Sequence, residues 1–231
     1  MLELKKLKNT TNTFFDLRNY TMTKEELLQK FEKVSKELEI IGESEDEDFL
    51  YLYFANGNTI SIRKPRSQLK VEIILMNGKF PPRIYRQVWH PKQTKCLAVA
   101  QRAQKGLCLC GPAGIGKTFA CIWHIVQKTI YHNVNAPLYI ALQEITPEDV
   151  KTYKNYDCYL LDDVNANLAT WKFDFIRSVI YHAYNNAKKL YITSNLEKKE
   201  LMHVLAEEPI ISRVFELCEI HEVIDKDLRQ K

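Results

Sequence analysis

The most informative stretch of this 231-residue chain is Gly111-Pro112-Ala113-Gly114-Ile115-Gly116-Lys117-Thr118. It follows the apolar run GLCLC at 106–110 and precedes a segment with helical spacing of its apolar residues. A strand, a glycine-rich loop and a helix are therefore predicted in series. In that context the pattern G-x-x-x-x-G-K-[ST] predicts a phosphate-binding loop, or P-loop. Glycines let successive main-chain N–H groups point at the phosphates, and the helix N-terminus adds partial positive charge.

The P-loop predicts ATP and Mg²⁺ as cofactors, with all eight residues from 111 to 118 as nucleotide contacts. Lys117 is expected to reach the β- and γ-phosphates, and the Thr118 hydroxyl is expected to ligate the metal. Two further clusters fit this interpretation. Asp162 and Asp163 end an apolar run at 156–163, where Asp162 would hold Mg²⁺ and Asp163 would polarise the attacking water. Asn195 ends the run KKLYITSN at 188–195, and we expect it beside the γ-phosphate and that water.

The alternation of elements around these motifs predicts an α/β fold. Strands are predicted at 106–110, 137–142, 156–163 and 188–195, and helices at 117–131, 171–187 and 197–206. Strands that alternate with helices of this length form a parallel sheet covered on both faces.

A different pattern precedes residue 80. A capping box and apolar spacing predict a helix over 23–40, and an Asn56-Gly57 turn joins predicted strands at 48–55 and 59–64. We expect a third strand at 70–76, before the break at Pro81-Pro82. The chain is thus predicted to have a small α+β module at 1–80, which binds a partner protein, and an ATPase domain at 81–231.

Composition supports a globular protein in the cytoplasm. The apolar fraction is 45% and the charged fraction 27%, which excludes a disordered tail or a fibrous repeat. No run approaches the roughly 18 apolar residues of a membrane span, and the first residues lack a signal-peptide core. The six cysteines are interpreted as reduced thiols, so we expect a cytoplasmic protein with no membrane partner.

Positive charge concentrates in residues 61–95, which hold nine Lys or Arg residues and Glu72 as their one acidic residue. Cations with aromatic residues between them are the ingredients of a single-stranded DNA site. The candidates are Arg63, Lys64, Arg66, Lys70, Tyr85 and Arg86. The alternative is that this charge faces the chain's own acidic run at 43–48, or that the aromatic residues belong to the core.

Residues 80–231 resemble the AAA+ helicase loaders of the DnaC/DnaI type and the related IstB-type transposition ATPases. The resemblance lies in FDFIRSVIYHAYNNAKKLYITSNLEKKELMHVL at 173–205, in the FPPRIYR entry at 80–86, and in the endings ISR at 211–213 and KDLR at 226–229. It implies an ATP-dependent loader that places a hexameric replicative DNA helicase on single-stranded DNA. Its ATPase would be slow and stimulated by the partner or by DNA.

The same resemblance implies roles for two arginines. Arg213 would be an arginine finger that acts on ATP held by a neighbouring subunit, which requires self-association; the alternative is a surface ion pair. Arg229 would contact the phosphates within its own subunit. The chain departs from the family in the short segment before Asp162, where an extra helical insertion is expected.

Three other functions stay open. An IstB-like transposition helper shares every ATPase motif, so residues 1–80 must distinguish it from a loader. A superfamily-3-like viral replication helicase also has paired aspartates and a TSN motif. An ATP-dependent scaffold would use slow hydrolysis only to time the release of a partner.

Overall fold

The computed structural model describes residues 40–46, 49–57, 59–205 and 207–228. The chain divides into two compact units: the smaller contains the residues up to Arg66 together with 131–133, and the larger contains Ser67–Ile130 and Val134–Lys231. This division falls earlier than the predicted domain boundary at residue 80. The helix predicted over 23–40 lies outside the described residues, apart from Ile40 at its end.

The described part of the smaller unit contains an antiparallel sheet of strands β1 (Ile40–Glu45), β2 (Phe49–Phe54) and β3 (Thr59–Arg63), with β2 in the centre. The predicted hairpin of β2 and β3 is confirmed. Gly57 has φ +81° in its turn, a conformation that glycine adopts without a steric penalty. Along β2 the side chains of Leu50, Leu52 and Phe54 are buried, which is the period-two pattern of a half-buried strand.

The predicted third strand at 70–76 is wrong. This segment lies in helix α1 (Gln68–Asn77), and the third strand of the small sheet is β1, formed by part of the acidic run. Ser67 caps the helix by accepting a hydrogen bond from the Lys70 N–H at 3.4 Å. Val71 and Leu75, four residues apart, are buried on one helical face in the core of the larger unit. Burial of that face outweighs the strand propensity of the β-branched residues.

The larger unit alternates strands and helices as predicted. Its strands are β4 (Gly106–Cys110), β5 (Pro137–Ala141), β6 (Cys158–Val164), β7 (Lys189–Ser194) and β8 (Cys218–Glu222). Its remaining helices are α2 (Tyr85–Trp89), α3 (Lys95–Arg102), α4 (Lys117–Ile130), α5 (Thr170–Asn185), α6 (Lys198–Leu205) and α7 (Glu208–Leu217). The sequence did not predict α2, α3, α7 or β8.

All five strands are parallel, in the order β5-β6-β7-β4-β8. Each face of the sheet has its own core. On β4, Leu107 and Leu109 pack with helices α1 to α4, whereas Cys108 and Cys110 face the core that α5, α6 and α7 cover. The predicted α/β class, a parallel sheet flanked by helices, is confirmed. This order sets β7 between β4 and β6, so the ends of these three strands lie side by side.

The segment between β5 and β6 carries two short 3₁₀ turns, at Asp149–Lys151 and Tyr153–Asn155, and no α-helix. The segment before Asp162 is therefore as short in the structure as the sequence indicates, without an inserted α-helix. In the part of the chain that the structure describes, no helix is both long and apolar enough to cross a membrane.

Candidate nucleotide-binding site

The three predicted motifs meet at one edge of the parallel sheet. The P-loop follows β4, Asp162 and Asp163 lie near the end of β6, and Asn195 follows β7. Parallel strands end at the same edge of a sheet, and loops at this edge form the ligand crevice of α/β folds. The sheet order thus brings together residues that are up to 84 positions apart, from Gly111 to Asn195.

The glycines of the P-loop are required by its conformation and by its neighbours. Gly111 has φ +129° and Gly114 has φ +79°, in the region that residues with a side chain rarely adopt. A Cβ at Gly111 would collide with the Val223 carbonyl oxygen, and one at Gly114 would collide with the Asp227 carboxylate. The segment after β8 therefore lies directly on the loop, and Leu228 N–H donates to the Gly114 carbonyl at 3.1 Å.

Lys117, at the start of α4, is only 6% exposed. Its Nζ donates to the carbonyls of Gly111 at 2.7 Å and Pro112 at 2.6 Å, and to Asn195 Oδ1 at 2.9 Å. Burial lowers the pKa of Lys117 from its ordinary value, while the nearby carboxylates, Asp163 among them, oppose that shift. A buried cation held mainly by neutral oxygens is suited to receive the negative charge of phosphates.

Asp162 is the most heavily hydrogen-bonded carboxylate at this edge. Its Oδ1 accepts from Thr118 Oγ1 at 2.7 Å and from Thr193 Oγ1 at 2.6 Å, and its Oδ2 accepts from the Tyr139 hydroxyl at 2.6 Å. Burial, followed by the adjacent Asp162, raises the pKa of Tyr139 well above its usual range, so the phenol remains a donor. The predicted pair of metal ligands, Thr118 and Asp162, is thus in direct contact.

Asp163 lies in a local irregularity of β6. Its φ is +64°, and the register between β6 and β7 shifts between Leu161 and Val164. The main-chain N–H of Asp163 donates to Thr193 Oγ1 at 2.9 Å, which holds this conformation. Its carboxylate accepts from Asn195 Nδ2 at 2.6 Å. Asn195 therefore joins Asp163 to Lys117 through the two ends of one amide group.

These groups face a cavity of about 500 Å³. Its wall includes eight predicted site residues: Ala113, Gly114, Gly116, Lys117, Thr118, Asp162, Asp163 and Asn195. The other three predicted P-loop residues do not line the cavity: Ile115 is fully buried, and Gly111 and Pro112 lie at the start of the loop. The volume lies within the range of small-ligand pockets, about 300–1,000 Å³.

Sequence reasoning missed other residues of this cavity. Arg83 and Gln87 line it from the segment before α3, and Tyr139 and Thr193 contact Asp162 from the two neighbouring strands. Thr193 stands within the ITSN run, so its polar side chain near a strand end was an available signal. The sequence around Tyr139 gave no such signal, because only the pairing of β5 with β6 brings this residue to Asp162.

The donor set fits Mg²⁺ with a nucleotide. A hydroxyl and a carboxylate oxygen are the hard ligands that Mg²⁺ takes, together with phosphates and water. The loop supplies main-chain N–H groups at a helix start and a buried ammonium group, which suit phosphates. Thr118 and Asp162 would hold the cation, and the P-loop with Lys117 would hold the phosphates.

Arg213 lies outside this cavity, on α7. Its guanidinium group stacks on Tyr181 at 4.5 Å and Tyr184 at 5.0 Å, measured to the ring centroids, and Nη1 donates to the Pro209 carbonyl at 2.6 Å. Its Nε is buried without a hydrogen-bond partner among the described residues. Arg213 is therefore held by aromatic rings, while its role towards a second subunit stays a prediction. Arg229 lies outside the described residues.

The nucleic-acid candidates divide between the two units. Arg63, Lys64 and Arg66 belong to the smaller unit, and Lys70, Tyr85 and Arg86 belong to the larger one. Lys64 Nζ forms an ion pair with Glu45 at 2.9 Å, as expected if its charge faces the acidic run at 43–48. The Tyr85 hydroxyl donates to the Phe80 carbonyl at 3.1 Å, and its ring packs partly against the core. Contact of these residues with DNA stays a prediction.

No protein-family model matches the sequence, and no curated protein matches it. Among solved structures, the chain is similar to a DnaC helicase loader, at 22% identity over 62% of this chain and 100% of that one, with a TM-score of 0.47. It is also similar to a DnaI structure, at 20% identity over 62% of this chain and 79% of that one, with a TM-score of 0.42. It is also similar to domain III of the replication initiation protein DnaA from Thermotoga maritima, at 19% identity over 71% of this chain and 70% of that one, with a TM-score of 0.39.

The P-loop strand β4 and the acidic strand β6 are separated by β7, the strand that leads to Asn195, and all three motifs face one cavity. The larger unit is thus a parallel α/β domain whose predicted P-loop and acidic strand face one cavity.

Proposed function

We propose that the chain binds ATP with Mg²⁺ in this cavity and hydrolyses it. The observation that carries the proposal is the chain of hydrogen bonds from Lys117 through Asn195 to Asp163. It connects the group predicted to bind phosphate with the group predicted to activate water. A change at the γ-phosphate would therefore reach Asp163 through one side-chain amide.

The residues divide the chemistry among them. The P-loop N–H groups and Lys117 bind the phosphates, and Asn195 orients the attacking water beside them. Asp163 accepts hydrogen bonds from that water and polarises it. When bound, Mg²⁺ neutralises phosphate charge. Thr118 and Asp162 would hold the cation beside the phosphates, because the Thr118 hydroxyl is hydrogen-bonded to the Asp162 carboxylate at 2.7 Å.

We further propose that ATP turnover serves to load a hexameric replicative DNA helicase onto single-stranded DNA. The support is the resemblance of residues 80–231 to the DnaC/DnaI loaders, together with a separate compact unit before residue 67 that could bind a partner. The basic residues between 61 and 95 supply the charge that a DNA strand requires.

The loading proposal is tested by gel filtration of the full chain with the host's hexameric replicative helicase, with and without ATP. We expect co-elution and a rise in ATP turnover when helicase and single-stranded DNA are added together. Failure to co-elute would contradict loading. Co-elution with a transposase in a parallel sample would favour the transposition helper, and unwinding of a DNA duplex by the chain alone would favour a helicase.

Self-association through Arg213 is tested by mixing two inactive variants. Lys117→Ala lacks the pocket charge and Arg213→Ala lacks the finger, so a mixed interface can combine one intact pocket with one intact finger. We expect partial recovery of ATP turnover. The matched control pairs Lys117→Ala with a variant that carries both changes, which should stay inactive. No recovery, with oligomers present by light scattering, would contradict the finger role.

A further inference from the structure

Three hydroxyl groups from three different elements converge on the Asp162 carboxylate. Thr118 of α4 and Thr193 of β7 both donate to Oδ1, at 2.7 and 2.6 Å. Among the residues that the structure describes, Tyr139 of β5 is the one donor to Oδ2, at 2.6 Å. Each carboxylate oxygen is therefore held by hydroxyl donors, Oδ1 by the two threonines and Oδ2 by the phenol.

Tyr139 is itself fixed in place. Its main-chain N–H donates to the Gly78 carbonyl at 2.9 Å, so the segment before α2 pairs with the outer edge of β5. Its ring packs on Phe80 with the centroids 5.7 Å apart. Phe80 is 2% exposed and belongs to the core of the larger unit. The phenolic oxygen is thus held at a defined position beside Asp162.

We propose that Tyr139 is a positioning residue for the cation: it fixes the orientation of the Asp162 carboxylate so that Oδ1 stays turned towards Thr118. The terminal torsion of a carboxylate is soft, and a single donor on Oδ2 restricts it. Outer partners of this kind orient metal ligands, and their loss costs about 10–100-fold in metal affinity. This inference rests on the proposed role of Asp162 as a cation ligand.

The test is Tyr139→Phe, which removes the hydroxyl and keeps the ring on Phe80. The probe is Mn²⁺, titrated by electron paramagnetic resonance into the full chain saturated with ADP. We expect the Kd for Mn²⁺ to rise about 10-fold. The affinity for a fluorescent ADP analogue in EDTA should stay within about twofold of the wild type, because the phosphate contacts of the P-loop are untouched.

The matched control is Tyr159→Phe. The Tyr159 hydroxyl donates to the Tyr156 carbonyl at 2.7 Å, so this variant also loses one buried phenol hydrogen bond in the same sheet, away from the cavity. It should leave the Kd for Mn²⁺ unchanged. An unchanged Mn²⁺ affinity in Tyr139→Phe would overturn the inference. So would an equal loss of ADP affinity in EDTA, since that result indicates a general structural role.

The wild-type protein separates this inference from the proposed function. If wild-type chain with ADP shows no bound Mn²⁺, the nucleotide–cation site itself is contradicted. If it binds Mn²⁺ and Tyr139→Phe binds it equally well, the site stands and only the positioning role fails. Melting temperatures of both variants identify any general loss of stability.

Discussion

The carboxyl edge of the parallel sheet and the small antiparallel sheet use their charged residues differently. At the parallel edge, Lys117 is buried and Asp162 is half-buried, and each makes three short hydrogen bonds to groups on other segments. In the small sheet, Lys64 and Glu45 form an ion pair whose side chains are 31% and 66% exposed. Enclosed charges have few alternative partners, whereas exposed ones exchange theirs with water. Substitutions at the first region should therefore have far larger effects than those at the second.

The largest effect is expected from Asp163→Asn. Asparagine keeps the size and tolerates the φ of +64°, but it accepts hydrogen bonds from water more weakly than a carboxylate. We expect ATP turnover to fall by roughly 10²–10⁴-fold, the contribution of a general base, with nearly normal ATP affinity. Turnover is measured by phosphate release. Asp174→Asn, on α5 outside the cavity, is the matched control, and equal losses in both variants would contradict the assignment.

The second-largest effect is expected from Lys117→Ala, which should bind ATP about 100-fold more weakly than the wild type. The variant loses charge-assisted hydrogen bonds to phosphate, and a bond to a charged group contributes roughly 1.5–3 kcal/mol. Fluorescence titration with an ATP analogue gives the Kd, and circular dichroism checks that the fold is kept. Lys128→Ala, near the end of the same helix, should bind normally. An unchanged Kd in Lys117→Ala would refute the P-loop assignment.

A smaller effect is expected from replacing Arg63, Lys64, Arg66 and Lys70 together with alanine. A site that neutralises about four phosphates gives a slope of log K against log salt near −3 on single strands, at roughly −0.7 per phosphate. The quadruple variant should flatten that slope and weaken binding alike for every DNA sequence. Fluorescence anisotropy at several salt concentrations measures it. If slope and affinity match the wild type, this segment does not bind DNA.

The smallest effect is expected from Lys64→Ala alone. Its ion pair with Glu45 is partly exposed, and such pairs contribute about 0–1 kcal/mol. Urea denaturation should therefore show a free energy of unfolding within about 1 kcal/mol of the wild type. A loss of several kcal/mol would mean that the small sheet holds its charges as tightly as the parallel edge does, and the comparison of the two regions would fail.

The local order of residues was enough to predict the elements that carry the candidate site. The glycines and Lys117-Thr118, the paired aspartates and Asn195 each follow a short apolar strand, and that local order predicts both the P-loop and the parallel sheet. These signals are local because a phosphate loop needs particular residues at consecutive positions. The strand predicted at 70–76 was wrong for the opposite reason: isoleucines suit both a strand and a helix, and the core that receives Val71 and Leu75 decides between them.

Which further side chains complete the site depends on how the strands pair. Tyr139 lies in an ordinary apolar strand, and it reaches Asp162 because β5 pairs with β6 in one register. Asp227 and Leu228 reach Gly114 because β8 joins the far side of β4 and directs the following segment across the loop. Contacts of this kind depend on strand order and register, which follow from the packing of the whole sheet and leave no mark on the residues near them in sequence.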